Sequence, residues 1–451
     1  MRLLKQYSSL LLVALLLLSG AASNTPAAGP APVRAPSESS DPLTLRDRIE
    51  IFEDVWVTVN ERYYDPSFHG VNWRDVRHRY RPLIEHESSD DEFYNLLKRM
   101  VGELHDAHTR FHTPEERRER EHLQAVSAGI SIYEVEGKPV VVGVEPDSDA
   151  ARAGVEEGMI VIAIDGMTIS ERIKEARSRV AGSSSDRAVQ LRIFRMLVDG
   201  YPGTTLKMTL ARADGSLLEV ALTRRIVADK AIVTSRRLPS GFGYIRLSLW
   251  KSPIRKKFRK ALEQLRDAPG VVVDIRGNPG GEAEEVAKIA SYFFARRVPF
   301  GKFSARSGKS IFLRTDDDDQ IYTGPVALLV NEGSGSGSEL FAGVMQESKR
   351  AVVIGRQSCG CVLGISRYRS VKGKGELAVS EYGYISPAGK TLEGVGVVPD
   401  KLVELKISDL QKHRDAALEE AQQVLNKSDR LGARPAPPTI LAHHEARTGL
   451  P

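Results

Sequence analysis

The chain has 451 residues, 41% apolar and 27% charged, a balance that excludes a disordered or fibrous protein and allows at least one substantial core. Its 64 basic and 59 acidic residues leave a net charge of only +5 and are interspersed along the chain, so there is no nucleic-acid footprint. Two cysteines are too few for a disulfide scaffold and too few for a closed zinc site, and neither a cofactor nor a metal is expected.

Arg2 and Lys5 precede an apolar run from Leu10 to Leu18, which gives way to Gly20, Ala21, Ala22 and Ser23. That layout reads as an export signal over 1–23, since the run is short for a membrane span; 24–42, rich in Ala, Pro and Ser, reads as a flexible leader. The mature protein is expected to be periplasmic or secreted, with no stable transmembrane segment after signal removal; anchoring by an uncleaved signal is the less favoured reading.

Residues 43–122 have helical spacing. Ile49, Phe52, Val55 and Val59 share one face, Trp73, Val76, Tyr80 and Ile84 a second, and Phe93, Leu96, Leu97, Met100 and Leu104 a third. Ser88, Ser89 and Asp90 supply cap residues before the last of these. The region ends on the polar cluster His105-Asp106-Ala107-His108-Thr109.

From 123 to 228 the pattern changes to strands and glycine turns. A hairpin is expected around Glu136-Gly137, a short helix between Ser148 and Ala153 with Gly154 at its end, a buried strand from Gly158 into Asp165-Gly166, and a second hairpin around Asp214-Gly215. Residues 229–408 alternate strands and helices, which predicts an α/β core with a mostly parallel or mixed sheet. One C-terminal helix over 409–429 and a disordered tail over 430–451 complete the expected organisation.

Two strand ends carry chemistry. In Val330-Asn331-Glu332-Gly333-Ser334-Gly335-Ser336-Gly337-Ser338-Glu339-Leu340 a strand runs through small residues into a helix. A hydroxyl presented there has amides nearby for a developing negative charge, although a flexible Ser/Gly loop looks the same in sequence. Asp274-Ile275-Arg276-Gly277-Asn278-Pro279-Gly280-Gly281 also ends a strand, and its glycines allow either an anion-holding loop or a tight turn capped by Asp274.

These segments, together with Tyr64-Asp65-Pro66 at the start and Gly394-Val395-Gly396-Val397-Val398-Pro399-Asp400 at the end, resemble the carboxyl-terminal processing, or tail-specific, serine peptidases over about 350 residues. The resemblance implies a PDZ-like β-rich domain inserted at 123–228, between an N-terminal helical bundle and a serine-peptidase core. It implies a tail-binding loop at Ala128, Gly129, Ile130 and Ser131, with protein or peptide C-terminal tails as partners. It makes Ser336, the middle serine, the nucleophile, and Gly337 with Gly280 or Gly281 the oxyanion donors.

One departure stands out. The family's usual base is a lysine, and Cys361 occupies the matching position; Lys372 and Lys374 lie farther on. A thiol must first lose its own proton and would then compete as a nucleophile. A bridge between Cys359 and Cys361 would be strained, so two small buried side chains in a turn are expected.

The tricorn-like branch uses a histidine and a glutamate instead, which resemble His108 and Glu393 here. His105, His112 and Glu381 are the competing groups, and a helix-end hydrogen bond for His108 or a loop ion pair for Glu393 is the non-catalytic alternative. The expectation is a serine endopeptidase acting near the tails of exported proteins through a Ser336, His108 and Glu393 relay. The alternative is a catalytically inactive PDZ-containing binding or scaffolding homologue.

Overall fold

The computed structural model describes residues 42–122, 124–180, 182–228, 231–318 and 321–430. The expected signal, nearly all of the expected leader and the tail after residue 430 lie outside these residues.

Thr44 opens α1 (Leu45–Arg62) with a reciprocal cap, its hydroxyl accepting from the Asp47 amide and its own amide donating to the Asp47 carboxylate. Asn72 and Ser89 cap α2 (Trp73–His86) and α3 (Asp90–Gly102). The apolar faces of all three helices meet in one cluster around Phe52, Val59, Val76, Phe93 and Met100. Next come β1 (Arg110–His112) and α4 (Pro114–Glu121), a helix without an apolar stripe that starts on a Thr113–Glu116 capping box with Pro114 in the first turn.

The middle segment contains β2 (Gln124–Ser127), β3 (Ile130–Val135), β4 (Lys138–Val144), α5 (Asp149–Arg152), β5 (Ile160–Ile164) and β6 (Met167–Thr168). It continues through α6 (Ile169–Arg179), α7 (Asp186–Met196), β7 (Thr205–Ala211), β8 (Leu217–Thr223) and β9 (Arg225–Ala228). Strands β2 and β9 pair where the chain enters and leaves, which makes the segment an insertion. Its sheet runs β3-β4-β5-β7-β8, leaving β3 as an edge strand. Both helices α6 and α7 correct the reading of this stretch as strands and turns. Ser185 caps α7 through the Ala188 amide, and Ile193, Phe194 and Leu197 bury its inner face.

The body follows with β10 (Val233–Arg237), β11 (Gly243–Leu247), α8 (Ile254–Gln264), β12 (Val271–Asp274), α9 (Ala283–Ser291), β13 (Pro299–Ala305), β14 (Ser310–Arg314), β15 (Val326–Val330) and α10 (Gly337–Glu347). The remaining elements are β16 (Val352–Gly355), β17 (Gly364–Ile365), β18 (Arg369–Ser370), β19 (Glu376–Ala378), β20 (Ser380–Ile385), β21 (Lys401–Leu402), α11 (Ile407–Gln411) and α12 (Ala416–Arg430). The central sheet has the order β10-β11-β12-β15-β16-β21 and is parallel apart from the β10 edge.

Strand β15 is apolar throughout, and β12 up to its terminal Asp274, because both faces are covered. Phe258, Val286 and Phe341 pack on one side, and Ala421 and Leu425 of α12 on the other. Strand β1 pairs with β19, joining the helical region to the body. The single expected helix over 409–429 is two: the chain breaks at His413, with φ 50°, and Asp415 caps the second helix through the Leu418 amide.

Candidate active site

Strand β15 ends at Val330 and α10 begins at Gly337; between them Ser336 adopts φ 49° and ψ −114°, a strained conformation for a residue other than glycine. The flanking serines hold it there. Ser334 Oγ donates to the Ile275 carbonyl (2.8 Å), and Ser338 Oγ donates to the Asn278 carbonyl (2.9 Å) while accepting from Trp250 Nε1 (2.8 Å). The Ser336 amide donates to the Cys361 carbonyl (2.8 Å) and to Glu339 Oε2 (3.0 Å). Glu339 is fully buried and also receives the Ser358 hydroxyl and the Gly360 and Cys361 amides. Burial raises its pKa against those donors. The outer serines and the glutamate thus pin the turn, and the middle serine is the one left on it.

The Asp274–Gly281 loop packs directly on this turn. A methyl group on Gly280 (φ 110°) would lie 2.6 Å from Ser336 Cβ, and one on Gly281 (φ 138°) would lie 2.1 Å from the Trp250 carbonyl oxygen. The Gly280 amide donates to Asn278 Oδ1 (3.0 Å). Among the described residues the Gly281 and Gly337 amides donate to no backbone or side-chain acceptor. Asp274 faces away from the turn, holding Tyr244, Arg276 and Arg246.

Cys359 and Cys361 form a disulfide, which corrects the expectation of two separate side chains and removes a free thiol at Cys361. Gly360, with φ 76°, turns the backbone so that the two Cα atoms are 5.3 Å apart, within the usual range for such a bond. Both cysteines, His108 and Gly335 line one cleft of about 700 Å³.

His108 sits on the loop after α3, its amide donating to Asp106 Oδ1 (2.7 Å). Its Nδ1 is buried without a hydrogen-bond partner. Burial pushes the imidazole pKa down to about 4, with Asp106 opposing. Glu393 Oε2 accepts the Val362 amide (2.7 Å), whereas Oε1 is buried without a partner in hydrogen-bond geometry. Burial drives the Glu393 pKa up to about 8; the Ser184 hydroxyl opposes this and the Asp106 charge adds to it. No hydrogen bond among the described residues joins His108 to Ser336 or to Glu393.

His112 lines the same cleft, and burial brings its pKa to about 4 as well. His105 is exposed, Lys372 lies in an exposed turn, and Glu381 is engaged by Arg369 and Ser366.

Of the expected tail-binding residues, Ala128, Ile130 and Ser131 line the same cleft. Gly129 turns with φ 80°, its amide donating to Ser127 Oγ (2.9 Å), which in turn donates to Glu145 (2.6 Å). Three contributors escaped sequence reasoning: helix α7, Arg110 and the Gly182–Arg187 strap. The Ser184-Ser185-Asp186 cap signal was the available pointer to the helix.

Residues 241–403 match the model of Peptidase family S41, and residues 46–102 that of the Tricorn protease C1 domain. The chloroplastic carboxyl-terminal-processing peptidase 2 of Arabidopsis thaliana is 31% identical over 366 residues, spanning 78% of this chain and 68% of its own. The chain belongs to the carboxyl-terminal-processing peptidases. It is therefore a serine-type peptidase by family.

A carboxyl-terminal-processing protease of Synechocystis sp. is 27% identical over 382 residues, covering 80% of this chain and 82% of its own. The fold of this processing peptidase also matches the photosystem II D1 C-terminal processing protease, with a TM-score of 0.56, 24% identity and coverage of 85% and 98%. It matches mature CPAF with a TM-score of 0.63, 12% identity and coverage of 85% and 97%. Among the described residues of this processing peptidase no helix is long and apolar enough to cross a membrane.

Proposed function

We propose that this peptidase cleaves exported proteins near their C-terminal tails through an acyl-enzyme on Ser336, with His108 as general base and Glu393 supporting it in place of a lysine. The observation that carries the reading is the Ser336 backbone, held in a strained conformation one residue before the unspent Gly337 amide.

In this scheme Ser336 Oγ attacks the peptide carbonyl carbon and its proton passes to the neutral His108 ring. The carbonyl oxygen, now negative, takes hydrogen bonds from the Gly337 amide and from Gly281 or Gly280; Gly281 is the better donor because Asn278 already occupies the Gly280 amide. Collapse breaks the C–N bond, and the leaving amine takes the proton from His108. Water then repeats the sequence on the ester. Burial favours the protonated form of Glu393 in the resting arrangement, and in this scheme an imidazolium formed on His108 favours its ionised form. Closure of the Ser336–His108 hydrogen bond belongs to the substrate-bound state.

A substrate tail adds to the free edge of β3, its carboxylate taking the Gly129 amide from Ser127. Export follows from the signal-like first 23 residues. The test is incubation of the mature chain and its Ser336→Ala and His108→Ala variants with an unstructured protein substrate, with mass spectrometry of the products. Ser336→Ala should abolish cleavage, and His108→Ala should lower kcat by about 10²–10⁴. Full activity in His108→Ala eliminates the base while leaving the nucleophile standing; no cleavage by the parent eliminates the scheme.

A further inference from the structure

The guanidinium groups of Arg110, Arg192 and Arg195 line the cleft that also holds His108 and Cys361. Arg110 comes from β1, and the other two come from α7, the helix beside the β3 edge. Their charges are only partly answered by the protein. The Arg110 side chain makes no ion pair or hydrogen bond among the described residues, and the acids that act on it are engaged elsewhere. Asp106 accepts the His108 amide and the Thr109 hydroxyl, while Glu116 accepts Lys98 (2.7 Å) and the Thr113 amide (2.9 Å).

Among the described residues Arg192 reaches only two carbonyls, Gly182 (3.3 Å) and Ala107 (3.5 Å), and no carboxylate. Arg195 has Asp199 at 3.8 Å. Other acids on the cleft wall are similarly taken: Glu332 pairs with Arg356 (2.7 Å), and Glu145 accepts Ser127. Burial and the Arg110 charge bring the Arg192 pKa down to about 9, the mark of a cation without its counter-ion. Like charges converging on a crowded cleft cost free energy that a bound anion removes, and a guanidinium matches a carboxylate bidentately.

We propose that Arg110 and Arg192 together bind an Asp or Glu side-chain carboxylate of the peptide substrate, apart from the terminal carboxylate at Gly129, and so give this peptidase a preference for acidic tails. The inference rests on the reading of this cleft as the substrate cleft.

The test uses the full mature chain and one unstructured peptide in several forms, with Glu or Gln at each position near the cleaved bond in turn and with a free or amidated C-terminus. kcat/KM is measured for the parent, Arg110→Gln, Arg192→Gln and Arg110→Lys. Binding of the same fluorescent peptides to Ser336→Ala is followed by anisotropy.

The parent should favour the carboxylate form at one position by about tenfold or more. Both Gln variants should bring that ratio towards one, and Arg110→Lys should retain part of it. A preference lost on Glu→Gln supports the arginine site; an arginine-dependent effect seen only on amidation places the terminus there and overturns the proposal. A parent indifferent to every carboxylate, or a preference unchanged in both Gln variants, overturns the proposal. Failure of the peptidase scheme shows separately as absent cleavage, and the anisotropy ratios then decide the carboxylate site alone.

Discussion

Burial strips solvent from the charged form of His108, so the ring is neutral from about pH 4 upward instead of from its ordinary 6.5. In the proposed scheme such a base should make kcat/KM rise through an acid limb near pH 4 and hold across the neutral range, a profile that rapid peptide assays read directly. A limb at the ordinary imidazole value would mean that the ring is solvated in the working enzyme. Glu393 is displaced the other way, from 4.5 to about 8, so the folded chain keeps a proton there that the unfolded chain has lost. Its contribution to stability is therefore complete below about pH 4.5 and disappears as pH rises through about 8. Glu393→Gln removes that loss: at about pH 9 the variant should melt roughly 5 °C or more above the parent, with the gap closing towards about pH 5. Gly280 allows a backbone prediction at the same scale. Gly280→Ala places a methyl group against Ser336 Cβ at a positive φ, and kcat should fall by about 10² or more from the displaced turn.

The strand ends that carry the site also carry a buried ion network. Asp274, fully buried at the end of β12, accepts the Tyr244 hydroxyl and the Arg276 guanidinium; Arg276 continues to Asp415 at the start of α12. Burial alone would raise the Asp274 pKa, yet the Arg276 charge holds it below the ordinary carboxylate value. Asp274→Ala takes away the buried partner of Arg276 and leaves it only the partly exposed Asp415, and urea unfolding should show a loss of about 3 kcal/mol. Asp274→Ala combined with Arg276→Met should recover part of it. Much of this architecture was legible beforehand. The apolar runs 271–273 and 326–330 marked doubly covered strands, and Ser334, Ser336, Ser338 and Glu339 marked the turn. Helix α7 was not legible, because its inner face is only Ala188, Ile193, Phe194 and Leu197 in a glycine- and strand-rich neighbourhood. The disulfide was not legible either: it depends on the turn at Gly360, and its backbone is set by hydrogen bonds to Glu339 and Ser334 from another element. The opposition of Arg110 and Arg192 requires β1 and α7 to meet, which no local pattern encodes.

At the scale of the whole described unit, the inserted segment is tied to the rest of the chain at α11 and at the strap leading into α7. Val135 and Val140 pack against Leu410 of α11, a hydrophobic contact remote from the site. The strap leading into α7 does something different. Ser184 Oγ accepts the Ala107 amide (2.9 Å), Ser185 Oγ donates to the Cys359 carbonyl, and Arg187 donates to the Ser358 (2.8 Å) and Val395 (2.6 Å) carbonyls. One short segment therefore holds the neighbour of His108, the loop whose Cys361 carbonyl fixes the Ser336 amide, and the loop that bears Glu393. Its bonds join segments far apart in sequence and are part-buried apart from the exposed one between Arg187 and Val395, but they hold no apolar core in place, so their loss costs the fold little while the three groups need not then stay aligned. Ser185→Ala combined with Arg187→Met should lower kcat by about tenfold to a hundredfold. The melting temperature should drop by no more than about 5 °C. Leu410→Ala should do the reverse, destabilising the chain by about 2–4 kcal/mol through the cavity it leaves, with a smaller change in kcat. Parallel melting curves and steady-state kinetics on the two variants distinguish a strap that aligns the site from one that only joins the segment to the body; equal proportional losses in both would reduce it to the latter.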